Sequence, residues 1–190
     1  TSYDEAGKAF GLPEGVTVTP VSAGGVPGEW LAPAAGAGKR VLLYLHGGGY
    51  ALGSLDSHRH LAAHTALALN GRVLLIDYRR SPEHPFPAAV DDALAAYRWL
   101  TETGVDPAKL AVAGDSAGGG LTVAVLLAAR DAGLRLPAAA VCISPWANLE
   151  NKGASYGAKA NVDPMVRHAD LELWTAAYLG TSTPRRAPLA

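Results

Sequence analysis

The sequence predicts an α/β domain, a mostly parallel sheet flanked by helices. Residues 40–45, 72–76, 110–113 and 139–143 form short runs that are apolar on both faces. That is the pattern of strands lying inside a sheet covered on both sides. A stretch at helical spacing follows each of the first three runs, and alternation of strand with helix selects a parallel sheet.

Taken in chain order, Val16, Val18 and Val21 alternate with Thr17 and Thr19, the two-residue period of a half-buried strand. Residues 29–32 read as its partner after the Gly24-Gly25 and Pro27-Gly28 turns. The interior strand 40–45 leads to a helix over 57–69, and strand 72–76 leads to a helix over 88–101. In the latter, Ala89, Ala93, Ala96 and Leu100 keep helical spacing. Strand 110–113 leads to a helix over 117–130, which Gly133 stops. Strand 139–143 follows, and Asp163-Pro164 signals a last helix over 167–179. Residues 33–38 and 181–190 are the loose stretches.

The 190 residues suit one domain, with 1–11 as the remnant of an N-terminal helical cap. Apolar residues make up 49% and charged residues 17%, a balance that excludes a disordered chain. A net charge of −1 supplies no basic field for nucleic acid or anionic lipid. No apolar stretch approaches the roughly 20 residues of a membrane span. A single cysteine, Cys142, excludes a disulfide framework and a thiolate metal cluster. Together these features predict a cytoplasmic domain that needs no cofactor or metal. Cys142, inside an apolar strand, is expected to be a buried thiol.

Two motifs carry chemistry. Gly114-Asp115-Ser116-Ala117-Gly118 is a G-x-S-x-G sequence placed directly after a buried strand and directly before an apolar helix. The glycines permit a sharp turn that leaves the serine hydroxyl exposed above the sheet, the setting of a nucleophile elbow. Ser116 also stands at a helix N-terminus, where free amides favour developing negative charge. The plainer alternative is a Gly-rich turn whose serine only caps the helix. The second motif, His46-Gly47-Gly48-Gly49, follows strand 40–45. Three glycines let a loop aim its amides at one point, as an oxyanion hole requires. No lysine follows at phosphate-loop spacing.

These motifs, with Tyr50, Tyr78-Arg79, the run from Pro82 through Ala89, Gly119, Ser144-Pro145-Trp146 and Asp163-Pro164-Met165, resemble the hormone-sensitive-lipase-like branch of the α/β-hydrolases. The resemblance covers nearly the whole chain and departs at Arg80 and Ser81, where that branch usually has Leu and Ala. It implies an α/β-hydrolase fold and a serine carboxylesterase acting on short acyl esters, some relatives taking lactones. Ser116 would be the nucleophile, and the amides of Gly48, Gly49 and Ala117 the oxyanion donors. His46, Gly47 and Asp115 would support them, and Tyr50 and Trp146 would line the substrate pocket, with plain packing as the other reading of Trp146. The resemblance makes His84 structural, tied to the backbone near the floor of the site.

In this fold the order is Ser, then acid, then His. After Ser116 the acids are Asp131, Glu150, Asp163, Asp170 and Glu172, and His168 is the one histidine. The resemblance places the acid and the histidine after further strands, beyond Pro188-Leu189-Ala190, whose sequence is similar to the start of a family motif. The chain is therefore expected to be part of a longer hydrolase, lacking its last strands and nearly inactive alone. A second reading is a ligand-binding, receptor-like protein on the same fold. His58, His60 and His64 read either as a partly exposed helix start or as metal ligands. Arg79 and Glu83 are either a pair or two solvated charges. Strand 139–143, apolar and without Lys or Pro, would be an edge open to self-association.

Overall fold

A computed structural model describes residues 2–186; Pro188-Leu189-Ala190 lie outside the described residues. The chain runs α1 (Ser2–Lys8), β1 (Val16–Ala23), β2 (Val26–Pro33), β3 (Val41–Leu45), α2 (Leu55–Leu69), β4 (Arg72–Ile76), α3 (Ala88–Glu102), β5 (Leu110–Asp115), α4 (Ala117–Asp131), β6 (Ala139–Ile143), α5 (Ala154–Ala158) and α6 (His168–Leu179). A 3-10 turn at Pro107–Lys109 precedes β5. The alternation anticipated from sequence is present, with α5 as an additional short element. Among the described residues, six strands lie in the order β1-β2-β4-β3-β5-β6. The first two strands join antiparallel, and β4, β3, β5 and β6 are parallel.

The two apolar faces of the interior strands feed two cores. Leu43 and Leu45 of β3, Leu74 and Ile76 of β4 and Val112 of β5 pack with α3, α4 and α6. Leu42 and Tyr44, Val73 and Leu75 point the other way, onto Ala62, Ala63 and Ala66 of α2. Small residues on α2 bring its axis close to the sheet. Against α2 lies α1, where Lys8 pairs with Asp56 at 3.2 Å and the Ser54 hydroxyl donates to Asp4 at 2.5 Å.

At the far edge, β6 is exposed along its whole length. Cys142 is exposed with it, which corrects the expectation of a buried thiol. The apolar run is a true strand, but no described element packs beyond it. Val141 and Ile143 instead face a groove of about 470 Å³ shared with Tyr44 and Leu61. Two further expectations are corrected. Arg79 pairs with Asp92 of α3 at 2.7 Å rather than with Glu83, because that carboxylate also accepts the Arg79 backbone amide at 2.8 Å. The His84 side chain is exposed, and among the described residues its ring makes no hydrogen bond; only its backbone amide is tied, to the Arg80 carbonyl at 2.9 Å.

Candidate active site

Strand pairing brings the two motifs together. Leu45, the last residue of β3, stands opposite Gly114 of β5, and Asp115 stands opposite Ile143 of β6. The segments that leave β3, β5 and β6 therefore emerge side by side at the carboxyl ends of parallel strands, where the chain crosses from β4 on one side of β3 to β5 on the other. Such a switch point opens a crevice. These segments are His46–Gly49, Ser116 and Ser144-Pro145-Trp146.

Ser116 has φ 52° and ψ −119°, a left-handed conformation that a non-glycine residue adopts only when its surroundings enforce it. The enforcement is visible. Its amide donates to the Ile143 carbonyl at 2.9 Å, and its carbonyl accepts from the Trp146 amide at 2.8 Å and the Gly120 amide at 3.1 Å. Small residues let the turn close: a Cβ on Gly118 would fall 2.0 Å from the Leu45 carbonyl oxygen. The Ser116 hydroxyl has no hydrogen-bond partner among the described residues and borders a cavity of about 700 Å³. Gly48 and Gly49 border the same cavity, at φ 120° and 62°. Among the described residues nothing accepts the amide protons of Gly48 or Gly49. The Ala117 amide is also free, being in the first turn of α4. An alcohol beside three unpaired amides can host acyl transfer, whose tetrahedral intermediate needs donors already oriented.

The two motifs are joined through Asp115. Its Oδ1 accepts from the Tyr44 hydroxyl at 3.0 Å and the Gly47 amide at 3.1 Å, and His58 Nε2 lies 3.2 Å away. Burial pushes the Asp115 carboxyl up, but His58, the Tyr44 hydroxyl and the Gly47 amide outweigh it and hold the group below its ordinary range. Asp115 in turn ranks behind burial in pushing up the Tyr44 hydroxyl. His46 is fully buried, stacked on Tyr78 at 4.2 Å, and donates through Nδ1 to the Gly47 carbonyl at 2.8 Å. Burial lowers its pKa to about 3, so the ring is neutral.

Much of the remaining lining of the cavity is aromatic and apolar. Trp146 borders the cavity while its indole N–H donates to Asn151 at 2.9 Å, so it lines and packs at once. Trp174 of α6 lies against the loop: a Cβ on Gly49 would meet its ring at 2.7 Å. Tyr50 is a correction. It is 2% exposed, stacked on Tyr178 at 3.8 Å, and does not line the cavity. Its φ of 59° turns the chain inward directly after the glycines. Ser81, one of the two departures from the branch, ties this turn by donating to the Tyr50 carbonyl at 3.0 Å. The other, Arg80, pairs with Asp77.

A model of the α/β-hydrolase fold matches residues 42–190. The chain belongs to the α/β-hydrolase family. Within that family it falls in the hormone-sensitive-lipase-like branch. It is 52% identical over 192 residues to an acetyl-hydrolase of Streptomyces hygroscopicus, covering all of this chain and 62% of that protein. The crystal structure of an esterase from the bacterial hormone-sensitive lipase family superposes with a TM-score of 0.95 at 45% identity, over 98% of this chain and 63% of the other. The esterase EstE5 soaked with p-nitrophenyl butyrate gives 0.92 at 40%, over 100% and 64%. The chain thus spans under two thirds of the relatives it matches.

In this α/β-hydrolase chain the acids and histidine after Ser116 are engaged elsewhere. Asp131 closes the far end of α4, about 22 Å along the helix, bonded to Arg130. Asp163 borders the cavity but accepts the amides of Met165 and Val166. Glu150 pairs with Lys152 and Arg186, and Asp170 with Arg167. His168 donates to the Asn151 carbonyl at 3.1 Å and lies 3.7 Å from Glu172. No bond joins it to Ser116 among the described residues. His58 turns inward to Asp115, while His60 stacks on Phe10 and lies 5.4 Å from the His64 ring, so the three do not converge. Sequence reading missed His58, Tyr44, Asn151 and Trp174 as site residues. The one signal available for His58 was its place four residues after Gly53-Ser54, at a helix start facing the glycine loop.

Proposed function

We propose that the chain carries the nucleophile and oxyanion hole of a serine carboxylesterase for short acyl esters, lactones being the cyclic form of the same bond. The Ser116 oxygen attacks the ester carbonyl carbon, and the carbonyl oxygen becomes an oxyanion held by the amides of Gly48, Gly49 and Ala117. The tetrahedral carbon then expels the alcohol, whose oxygen takes up the proton that Ser116 gave up, and the acyl group stays on Ser116. Water attacks that acyl carbon, releasing the acid and returning the proton to Ser116. The observation that carries this reading is the strained Ser116 backbone at a cavity it shares with both glycines. The acetyl-hydrolase and esterase names of the relatives support the substrate class. Residues 1–11 fit part of a cap, since Tyr3 of α1 borders the cavity.

The test is turnover of p-nitrophenyl acetate and butyrate, with fluorophosphonate labelling, by the chain and by Ser116→Ala. Labelling that vanishes in the variant supports the nucleophile, and its absence in the unaltered chain refutes an activated serine. A ligand-binding reading is favoured by one observation, that His168 bonds to Asn151 and not to Ser116. Saturable ester binding with neither labelling nor turnover would select it. We propose also that the exposed β6 edge mediates self-association; a monodisperse monomer in light scattering at rising concentration would refute this.

A further inference from the structure

Three donors meet the Asp115 carboxylate: the Tyr44 hydroxyl and the Gly47 amide donate to Oδ1, and His58 Nε2 lies 3.2 Å from Oδ1 and bonds to Oδ2 at 3.5 Å. One of them, the Gly47 amide, belongs to the glycine loop, and the Asp115 backbone leads directly into Ser116. A Cβ at Gly47 would stand 2.2 Å from the other carboxylate oxygen, so the loop rests against this carboxylate without slack. The direction in which Gly48 and Gly49 present their amides is thus set, one residue upstream, by where Asp115 is held. Tyr44 holds it from β3, and His58 holds it from α2.

His58 is 6% exposed and is fixed from behind. Its Nδ1 lies 2.8 Å from the Ser57 hydroxyl. That hydroxyl accepts the Ser54 amide at 2.8 Å and lies 2.9 Å from the Ser54 carbonyl. Ser54 in turn donates its own hydroxyl to Asp4 of α1 at 2.5 Å. A hydrogen-bonded path therefore runs from α1 through the first turn of α2 to the carboxylate beside Ser116.

The chemistry of the ring suits this task. To face a carboxylate, Nε2 must carry a proton. In the neutral ring, Nδ1 then accepts from the Ser57 hydroxyl. In the cationic ring, Nδ1 donates to the Ser57 oxygen, and the hydroxyl proton turns to the Ser54 carbonyl. Either way Asp115 keeps its third donor. The other titratable groups facing the ring are Tyr3 from α1, Tyr44 from β3 and His46 from the loop.

We propose that His58 is a positioning residue: through Asp115 it sets the angle at which the glycine loop presents its amides beside Ser116, and it ties that angle to the seating of α1 on α2. The functional half of this inference rests on the esterase reading; the structural half does not.

The experiment compares the unaltered chain with His58→Phe, which keeps the ring shape without a donor, and His58→Gln, which restores one. The first readout is amide hydrogen exchange and the amide chemical shifts of Gly47, Gly48 and Gly49. The expected result is at least tenfold faster exchange at Gly47 in His58→Phe, shifts that move at all three glycines, and recovery in His58→Gln. The same Gly47 protection and shifts in a folded His58→Phe would overturn the proposal. If His58→Phe does not fold, Ser57→Ala decides. It should move the same amides in the same direction, and unchanged amides would overturn the proposal. The second readout is the rate of fluorophosphonate labelling of Ser116, expected to fall about tenfold in His58→Phe and to recover in His58→Gln. Labelling that persists in Ser116→Ala refutes the esterase reading, while the amide readout still judges His58 separately.

Discussion

Replacing Gly118 by Ala sets two well-defined effects against each other. Gly118 lies in the first turn of α4, and helix propensity alone favours alanine there by about 1 kcal/mol. The added Cβ would stand 2.0 Å from the Leu45 carbonyl oxygen and 2.6 Å from that of His46, whereas ordinary contact begins at 3.4 Å. Both obstacles are backbone at the end of β3, so no side chain can rotate away. The amino end of α4 must move from the sheet by about 1 Å, carrying Ser116 with it. Overpacking in a close-packed interior costs about 1–3 kcal/mol, and an all-backbone clash belongs at the upper end. The net expectation is a loss of about 2 kcal/mol, or roughly 4–8 °C in Tm for a domain of this size, with Ser116 labelling reduced. Gly157, inside α5 with open space where its Cβ would be, is the control. There the propensity acts alone, and Gly157→Ala should gain about 0.5–1 kcal/mol. Urea denaturation measures both. A Gly118→Ala chain as stable as the unaltered one would refute the close approach of α4 to β3.

Three further perturbations probe other parts of the structure. His46 has a folded pKa of about 3 because it is buried, so only the unfolded chain takes up a proton as pH falls below about 6.5. Stability should therefore fall by about 1.4 kcal/mol per pH unit from roughly pH 6 downward. A shallower slope in His46→Asn than in the unaltered chain checks this, and an imidazole titrating near its ordinary value by NMR would refute it. Arg59 makes two bonds to Glu29, at 2.7 and 2.8 Å, with the carboxylate side chain 11% exposed. Arg59→Met should cost about 2–3 kcal/mol in urea, less than a fully buried pair because the guanidinium is partly solvated. The double variant with Glu29→Gln should recover part of it, and purely additive losses would refute the coupling. Cys142 should react stoichiometrically with a thiol reagent in the folded chain, since β6 is exposed. A thiol that reacts only after urea is added would show that β6 is covered.

What could be read directly from the sequence is what is local. The strand at 72–76 follows from a short run apolar on both faces and the helix starting at Ala88 from a period of 3.6 residues, and the structure has both. The glycine loop and the serine turn are contiguous motifs, each bounded by its own strand, so their residues were legible one by one. Three-dimensional partnership was not. Tyr50 follows the glycines in sequence, which suggests the pocket, yet its left-handed backbone sends the ring down onto Tyr178, 128 positions away. His58 and Asp115 are separated by 57 positions and meet only because α2 packs on the face of the sheet to which Tyr44 points. Cys142 sits in a run with the composition of an interior strand, and composition cannot say whether a neighbour will be there.

The three glycines of the loop illustrate how far a motif can be explained from within itself. Gly48 and Gly49 need their freedom for local reasons, because their φ values of 120° and 62° lie where side chains are rarely accommodated. The φ of Gly47 lies outside that region; it must be glycine because the Asp115 carboxylate occupies the place of its Cβ. That requirement comes from the other motif, and it runs both ways. Asp115 can take the Gly47 amide only if nothing projects from Gly47, and the carboxylate can be half-buried there because three donors meet it. The glycine loop and the serine turn are thus one unit folded from two segments, fixed by the pairing of β3 with β5 and closed by a histidine from α2. A substitution at any of Gly47, Asp115 or His58 should therefore be felt at the other two, and double-variant cycles among the three should deviate from additivity by about 1 kcal/mol or more. Strictly additive effects on stability would mean that the two loops are merely adjacent.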